Sequence, residues 1–303
     1  MKSFVTLMLC LLSMTTFAQV HDEISSAMEE FDYDKVINLI SPGTKDSLLL
    51  STRIQALKAM NRYPEAIVDL TSLFVKDTTD TKILIDLAEC YKLMGSPRQA
   101  ADYYRKAVSL RPNNKFFRLQ YIRSLLNAEN FKEARDACHG WLEQDTVSAT
   151  GYKYLGQAYE GMQDIPNAFF SYNVAYRRDS LDAQTVARIA NIFNNNRQFT
   201  DAIDVTECYR LSDTTSVDVN RQNAKAYCML KDYKKAIERY ESLKRMGDRS
   251  FLTFYYLGIS YYGDNWFYGS YDNLKEAYAK NSTDINVLYY YACLLYTSDA
   301  ADD

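Results

Sequence analysis

The chain is predicted to be all-α, an α-solenoid of stacked helix-turn-helix hairpins, and three observations predict it. First, a small residue returns every 34 positions: Ala66, Ala100, Ala134, Ala168, Ala202, Ala236, then Ser270. Second, the clearest copy of the pattern, Gly151 to Ser180, carries two apolar faces at helical spacing. Tyr152, Leu155, Gly156 and Tyr159 form one, and Ala168, Tyr172 and Ala175 the other. A polar turn from Met162 to Asp164 separates them, and Pro166 stands at the start of the second helix, where its missing N–H costs nothing. Third, 10 Gly and 5 Pro in 303 residues are too few for a loop-rich β protein, while a 47% hydrophobic content suffices for an extended core.

Taken in order, residues 1–18 have one Lys, an apolar run from Phe4 to Leu12 and small or hydroxylated residues up to Ala18. That is the layout of a secretory signal peptide, with an apolar core too short to span a bilayer. The mature chain is expected to begin at Gln19 and to be exported: periplasmic, outer-membrane-associated or secreted. Residues 19–46 predict a short, irregular capping hairpin, with Val36 where later copies carry a small residue. Residues 47–284 hold seven full copies. Residues 285–303 begin a further first helix and then lose the pattern. The closing CLLYTSDAADD (residues 293–303) resembles translated adapter sequence at the end of a gene fragment, so a natural C-terminus is expected to lie elsewhere.

A second small-residue column runs through the first helices: Ile54, Ala88, Ile122, Gly156, Ala190, Ala224, Gly258 and Ala292. Small residues on both helices let two backbones approach closely. Beside them runs a bulky column of Leu57, Tyr91, Leu125, Tyr159, Phe193, Tyr227 and Tyr261. LAECY (Leu87 to Tyr91) with Ala100, Tyr104, Ala107 and Pro112, and LGQAY (Leu155 to Tyr159) with Ala168, Tyr172 and Ala175, resemble the tetratricopeptide repeat. The exported character resembles such proteins from the Bacteroidetes group. The leading Trp of the repeat template is missing throughout, only Pro112 keeps its closing Pro, and Arg53 and Asn223 occupy a position that is usually apolar. The resemblance implies neighbouring hairpins stacked into a superhelix whose concave surface holds peptides.

A net charge of -4 supplies no basic excess to draw nucleic acid or anionic lipid. Catalysis needs convergent groups, and the chain offers two isolated His, His21 and His139, and no phosphate loop, nucleophile elbow or metalloprotease motif. No enzyme activity, cofactor or metal is predicted. Cys208 and Cys228, on successive second and first helices, are the one cysteine pair whose bonding is worth testing, buried free thiols being the commoner state in helical cores.

Function is therefore sought on the exposed stripe of the first helices, about 140° round from the core stripe. There the chain places Arg123 and Asn127, then Lys153, Gln157 and Glu160, then Gln184, Asn191, Asn194 and Asn195, then Arg221 and Lys225. Amide side chains both donate to and accept from an extended peptide backbone, and the cations suit a carboxylate. The expected function is a non-catalytic protein-interaction scaffold binding a peptide or protein segment. The carboxylate clamp of some relatives is not expected, since only Lys153 matches it. Two alternatives are the sensory region of a longer membrane receptor, with a kinase or DNA-binding part beyond residue 303, and glycan association through the aromatic group Tyr255, Tyr256, Tyr261, Tyr262, Trp266, Phe267, Tyr268 and Tyr271. Five triplets, beginning at Asp46, Asp77, Asp145, Asp179 and Asp213, are expected as turn formers and N-caps, and resemble the O-glycosylation acceptor of exported Bacteroidetes proteins.

Overall fold

The computed structural model describes residues 19–299, so the expected leader over 1–18 and the end of the expected tail, 300–303, lie outside the described residues. Among the described residues every regular element is a helix. After α1 (residues 19–29) and α2 (Tyr33–Leu39), seven hairpins follow. They are α3 (Ser47–Ala59) with α4 (Tyr63–Lys76), α5 (Thr81–Leu93) with α6 (Pro97–Leu110), and α7 (Lys115–Asn127) with α8 (Phe131–Leu142). Then come α9 (Ala149–Gly161) with α10 (Ile165–Arg178), α11 (Ala183–Asn195) with α12 (Phe199–Arg210), α13 (Val217–Met229) with α14 (Tyr233–Arg245), and α15 (Phe251–Gly263) with α16 (Phe267–Lys280). A last first helix, α17 (Ile285–Asp299), closes the chain. First helices begin 34 residues apart from Ser47 to Ile285, so the sequence period is the structural one.

The chain divides into two compact units, Met1–Ala137 and Cys138–Asp303, with the boundary inside α8. In the first unit, Ile24, Ala27, Val36 and Ile40 of the N-terminal pair pack with Leu50, Ile54, Leu57 and Leu70, so the irregular hairpin covers the end of that core. In both units the small column of the second helices is fully buried, from Ala66 to Ser270. The first-helix column is buried from Ile54 to Gly258, while Ala292 on α17 is exposed, with no second helix opposite it among the described residues. Close approach is explicit at α15 and α16, where the Ser270 hydroxyl donates to the Gly258 carbonyl at 2.8 Å.

Side-chain volume is traded between the two helices of a hairpin. Tyr104, Tyr172 and Tyr240, all fully buried on second helices, stand in the copies whose first-helix column carries Ala88, Gly156 and Ala224. A Cβ on Gly156 would lie 2.6 Å from the Tyr172 ring, so Gly there is a packing requirement.

Each first helix ends the same way. The backbone turns left-handed at Asn61, Gly95, Glu129, Gln163, Arg197, Lys231 and Asn265, again 34 residues apart, with φ between 57° and 71°. The following N–H reaches back to the bulky column, as in Arg62 to the Leu57 carbonyl at 2.8 Å and Asp164 to the Tyr159 carbonyl at 2.9 Å. This is the Schellman geometry, in which glycine is the strain-free residue, yet only Gly95 is glycine. Gln163→Gly is therefore expected to raise stability by about 0.5–1 kcal/mol, and Gln163→Val to lower it. Urea midpoints measure both, and a lower midpoint for the glycine variant would count against the left-handed turn.

The Asp triplets divide in a way the sequence did not show. Asp46 is an N-cap, accepting from the N–H groups of Leu48 and Leu49. Asp77, Asp179 and Asp213 instead sit at second-helix ends and accept from the N–H two residues on, at Thr79, Leu181 and Thr215. The helix caps lie three residues later, at Asp80, Asp182 and Ser216, as Ser148 lies three after Asp145. Cys208 and Cys228 are free thiols, the first exposed and the second buried, so that pair is not bonded.

Candidate functional site

In the second unit, α13 touches both α11 and α15, while contacts of that extent are not made between its second helices. The first helices α11, α13 and α15 thus stack on one another. Lys153, on α9, donates to Asp182, the N-cap of α11, at 3.0 Å. Burial would raise the Asp182 carboxyl, but the hydrogen bonds from Thr185 and Lys153 outweigh it and hold the group below its ordinary value. Arg221, on α13, is held by Asp248 at 2.9 Å and Asp218 at 2.8 Å. Burial opposes its charge, yet these partners raise its pKa. Both cations are therefore engaged inside the unit, which sequence spacing did not indicate.

Lys225 differs. Its ammonium donates to the Asn195 amide oxygen at 3.3 Å and has no carboxylate partner among the described residues. Burial pushes its pKa down. Asn194 is buried, and its amide nitrogen donates to both the backbone and the side-chain oxygen of Gln222 at 3.0 Å. Its own amide oxygen has no partner, and neither has the buried amide nitrogen of Gln157. A buried unmatched donor and acceptor are costly unless something fills them. Asn191 is half-buried and Asn195 exposed. Arg123 and Asn127, both exposed on α7, belong to the first unit.

A rule missed in the sequence links successive first helices. The twelfth residue of one pairs with the sixth of the next, 28 positions on: Lys58 with Asp86, Glu160 with Arg188 at 3.0 Å, and Asn194 with Gln222. The Cys228 thiol donates to the Tyr256 carbonyl at the same separation, and the Tyr262 and Tyr290 rings meet edge to face at 5.4 Å. The signal was present, since the paired types are complementary: Lys with Asp, Glu with Arg, amide with amide, Tyr with Tyr. Glu160, assigned to the stripe, is further held by the Tyr172 hydroxyl at 2.7 Å.

The aromatic group divides too. Tyr261 is buried, Tyr256 stacks on Tyr240, and Tyr271 stacks on Tyr291, whereas Trp266 and Tyr268 are exposed. His139 meets the Tyr159 hydroxyl at 3.2 Å, and burial pushes the neighbouring Cys138 thiol far up. Among the described residues no cluster of three or more His, Cys, Asp or Glu could hold a metal ion, and no helix is long and apolar enough to cross a membrane.

Residues 81–114, the hairpin of α5 and α6, match the tetratricopeptide repeat family. A DnaJ homolog subfamily C member 7 homolog from Dictyostelium discoideum is 34% identical over 137 residues, 45% of this chain and 23% of that protein. The chain thus spans about a quarter of that relative's length. Among solved structures, one from the APC/C hetero-tetramer Cut9-Hcn1 superimposes with a TM-score of 0.60 at 15% identity, over 87% of this chain and 51% of that one. YrrB, described as a tetratricopeptide-repeat protein with an unusual peptide-binding site, superimposes with a TM-score of 0.52 at 14% identity, over 62% of this chain and 97% of its own. These likenesses establish the all-α solenoid fold.

Proposed function

We propose that this chain, a tetratricopeptide-repeat protein by its fold and by its residues 81–114, is a non-catalytic scaffold that holds an extended peptide segment on the first-helix face of its second unit. The observation that carries the reading is the half-buried Lys225, without a carboxylate partner among the described residues, beside the exposed amide of Asn195. A peptide's side chains or terminus offer negative charge to the first, and its backbone offers an N–H and a carbonyl to the second. Arg221 and Lys153 hold the face in shape through Asp248 and Asp182, so they support the site without being free to bind.

Selection of peptides from a displayed random library against the whole protein tests this. Lys225→Glu is expected to weaken the selected peptides about tenfold, the scale of one charge-assisted hydrogen bond, with an unchanged unfolding midpoint. Unchanged affinity for Lys225→Glu and for Asn195→Ala would reject the face as the site.

A further inference from the structure

The seventh hairpin departs from the repeat at two places, and together the departures build something. At the position before each second helix the other copies carry polar residues, Arg62, Ser96, Asn130, Asp164, Gln198 and Asp232, but the last carries Trp266. Trp266 cannot cap, and α16 begins without a side-chain cap, as α4, α6 and α12 also do. Three residues on, where the other copies have Glu65, Gln99, Glu133, Asn167, Asp201 and Lys235, stands Gly269. Glycine inside a helix is destabilising, and so is a lost cap.

The two losses have one shared product. A Cβ at position 269 would come within 2.6 Å of the Trp266 indole, so only glycine lets the ring lie against the helix. Tyr261 holds the indole edge-on, with ring centroids 4.5 Å apart. The result is a fixed aromatic plate that stays 51% exposed, in a copy that could have buried a small residue instead. The plate forms one wall of a cleft of about 700 Å³ between α14, α15 and α16, within the size range of ligand sites.

The rest of the cleft is polar and already oriented. Glu241 accepts from the Tyr261 hydroxyl at 2.9 Å and from Lys244 at 3.3 Å. Asn273 is buried, its nitrogen tied to the Gly269 carbonyl at 2.7 Å and its oxygen to Lys244 at 3.3 Å. At one end, Lys280 lies over the Phe254 ring at 5.6 Å. Asp272 and Glu276 bring carboxylates to the same lining beside Lys275, while neither Lys280 nor Arg249, which also lines the cleft, has an ion-pair partner among the described residues. The cleft thus joins an exposed aromatic plate, fixed planar hydrogen-bonding groups and two cations outside any ion pair.

We propose that this cleft binds an acidic oligosaccharide, a chain of uronic acid residues, with one sugar ring on Trp266 and a carboxylate toward Lys280 and Arg249. A pyranose offers an apolar C–H face to the indole and a rim of hydroxyls to Glu241 and Asn273, and its carboxylate supplies the charge that the cations lack. A protein side chain on Trp266 would use the ring but bring no rim of hydroxyls to Glu241 and Asn273. A neutral sugar would leave the cations unused.

Titration calorimetry on the whole protein with tetragalacturonate, maltotetraose and tetraglutamate tests the proposal. Tetragalacturonate is expected to bind at least about tenfold more tightly than either of the others, and Trp266→Ala to weaken it by about tenfold. Lys280→Glu with Arg249→Glu is expected to remove the preference over maltotetraose. Gly269→Ala, which displaces the indole, should act like Trp266→Ala while leaving tetraglutamate unaffected. No tetragalacturonate binding at millimolar concentration, equal binding of tetraglutamate, or binding indifferent to Trp266→Ala would overturn it. Retained helical circular dichroism in each variant excludes misfolding as the cause.

Discussion

Asp69→Ala is expected to cost about 3–5 kcal/mol of the stability of the first unit, because it strands Arg53 in the core. The side chains of Arg53 and Asp69 are 5% and 1% exposed, and they pair across the hairpin of α3 and α4. Glu65, 3.9 Å from Arg53 and half exposed, cannot replace Asp69 as the buried counter-charge. Burial raises the Asp69 pKa against the opposing pull of Arg53, which shows how costly the site is for charge. The same two positions in the next copy carry Leu87 and Tyr103. Arg53→Leu with Asp69→Tyr should therefore be neutral or more stable than the parent, whereas either single change is destabilising. Urea denaturation with hydrogen exchange on α3 and α4 measures this, and a cost below about 1 kcal/mol for Asp69→Ala would show that the pair is not buried in solution.

Gly156→Ile should be comparably damaging, by about 3 kcal/mol or more, at the upper end of overpacking. The Tyr172 ring occupies the space where even a Cβ would sit at 2.6 Å, and Tyr172 is fully buried with its hydroxyl tied to Glu160, so it cannot swing aside. The first copy places Ile54 and Leu70 at the equivalent positions, and both are buried. Gly156→Ile combined with Tyr172→Leu reproduces that arrangement and should recover most of the loss. The double-mutant cycle reads the coupling directly. Additive effects of the two changes would refute the volume trade between the helices.

The first prediction rests on a position that sequence inspection marked but could not interpret. Arg53 and Asn223 stood out as polar residues in an apolar column. The structure shows that each is answered from the facing helix of its own hairpin, Arg53 by Asp69 and Asn223 by Arg239 at 3.2 Å, two positions that are themselves equivalent in the repeat. Asn223 also donates to Thr206 and Glu207, at 2.9 and 3.0 Å. What looked like two weakened copies is the same solution with the charge moved. The binding stripe was less legible. Its residue types were visible, but Lys153 and Arg221 proved to be engaged by Asp182 and Asp248, at separations of 29 and 27 residues. No helical period connects such distances.

The sequence by itself determined the hairpin, its period and which columns are buried. These follow from local geometry, since a helix repeats every 3.6 residues and two backbones approach closely only over small side chains. Tertiary structure decided which polar groups are consumed and which stay open. A lysine on an exposed stripe reads the same whether or not a carboxylate from the next repeat reaches it. Only the stacking of one hairpin on another brings Asp182 to Lys153 and leaves Lys225 without such a partner.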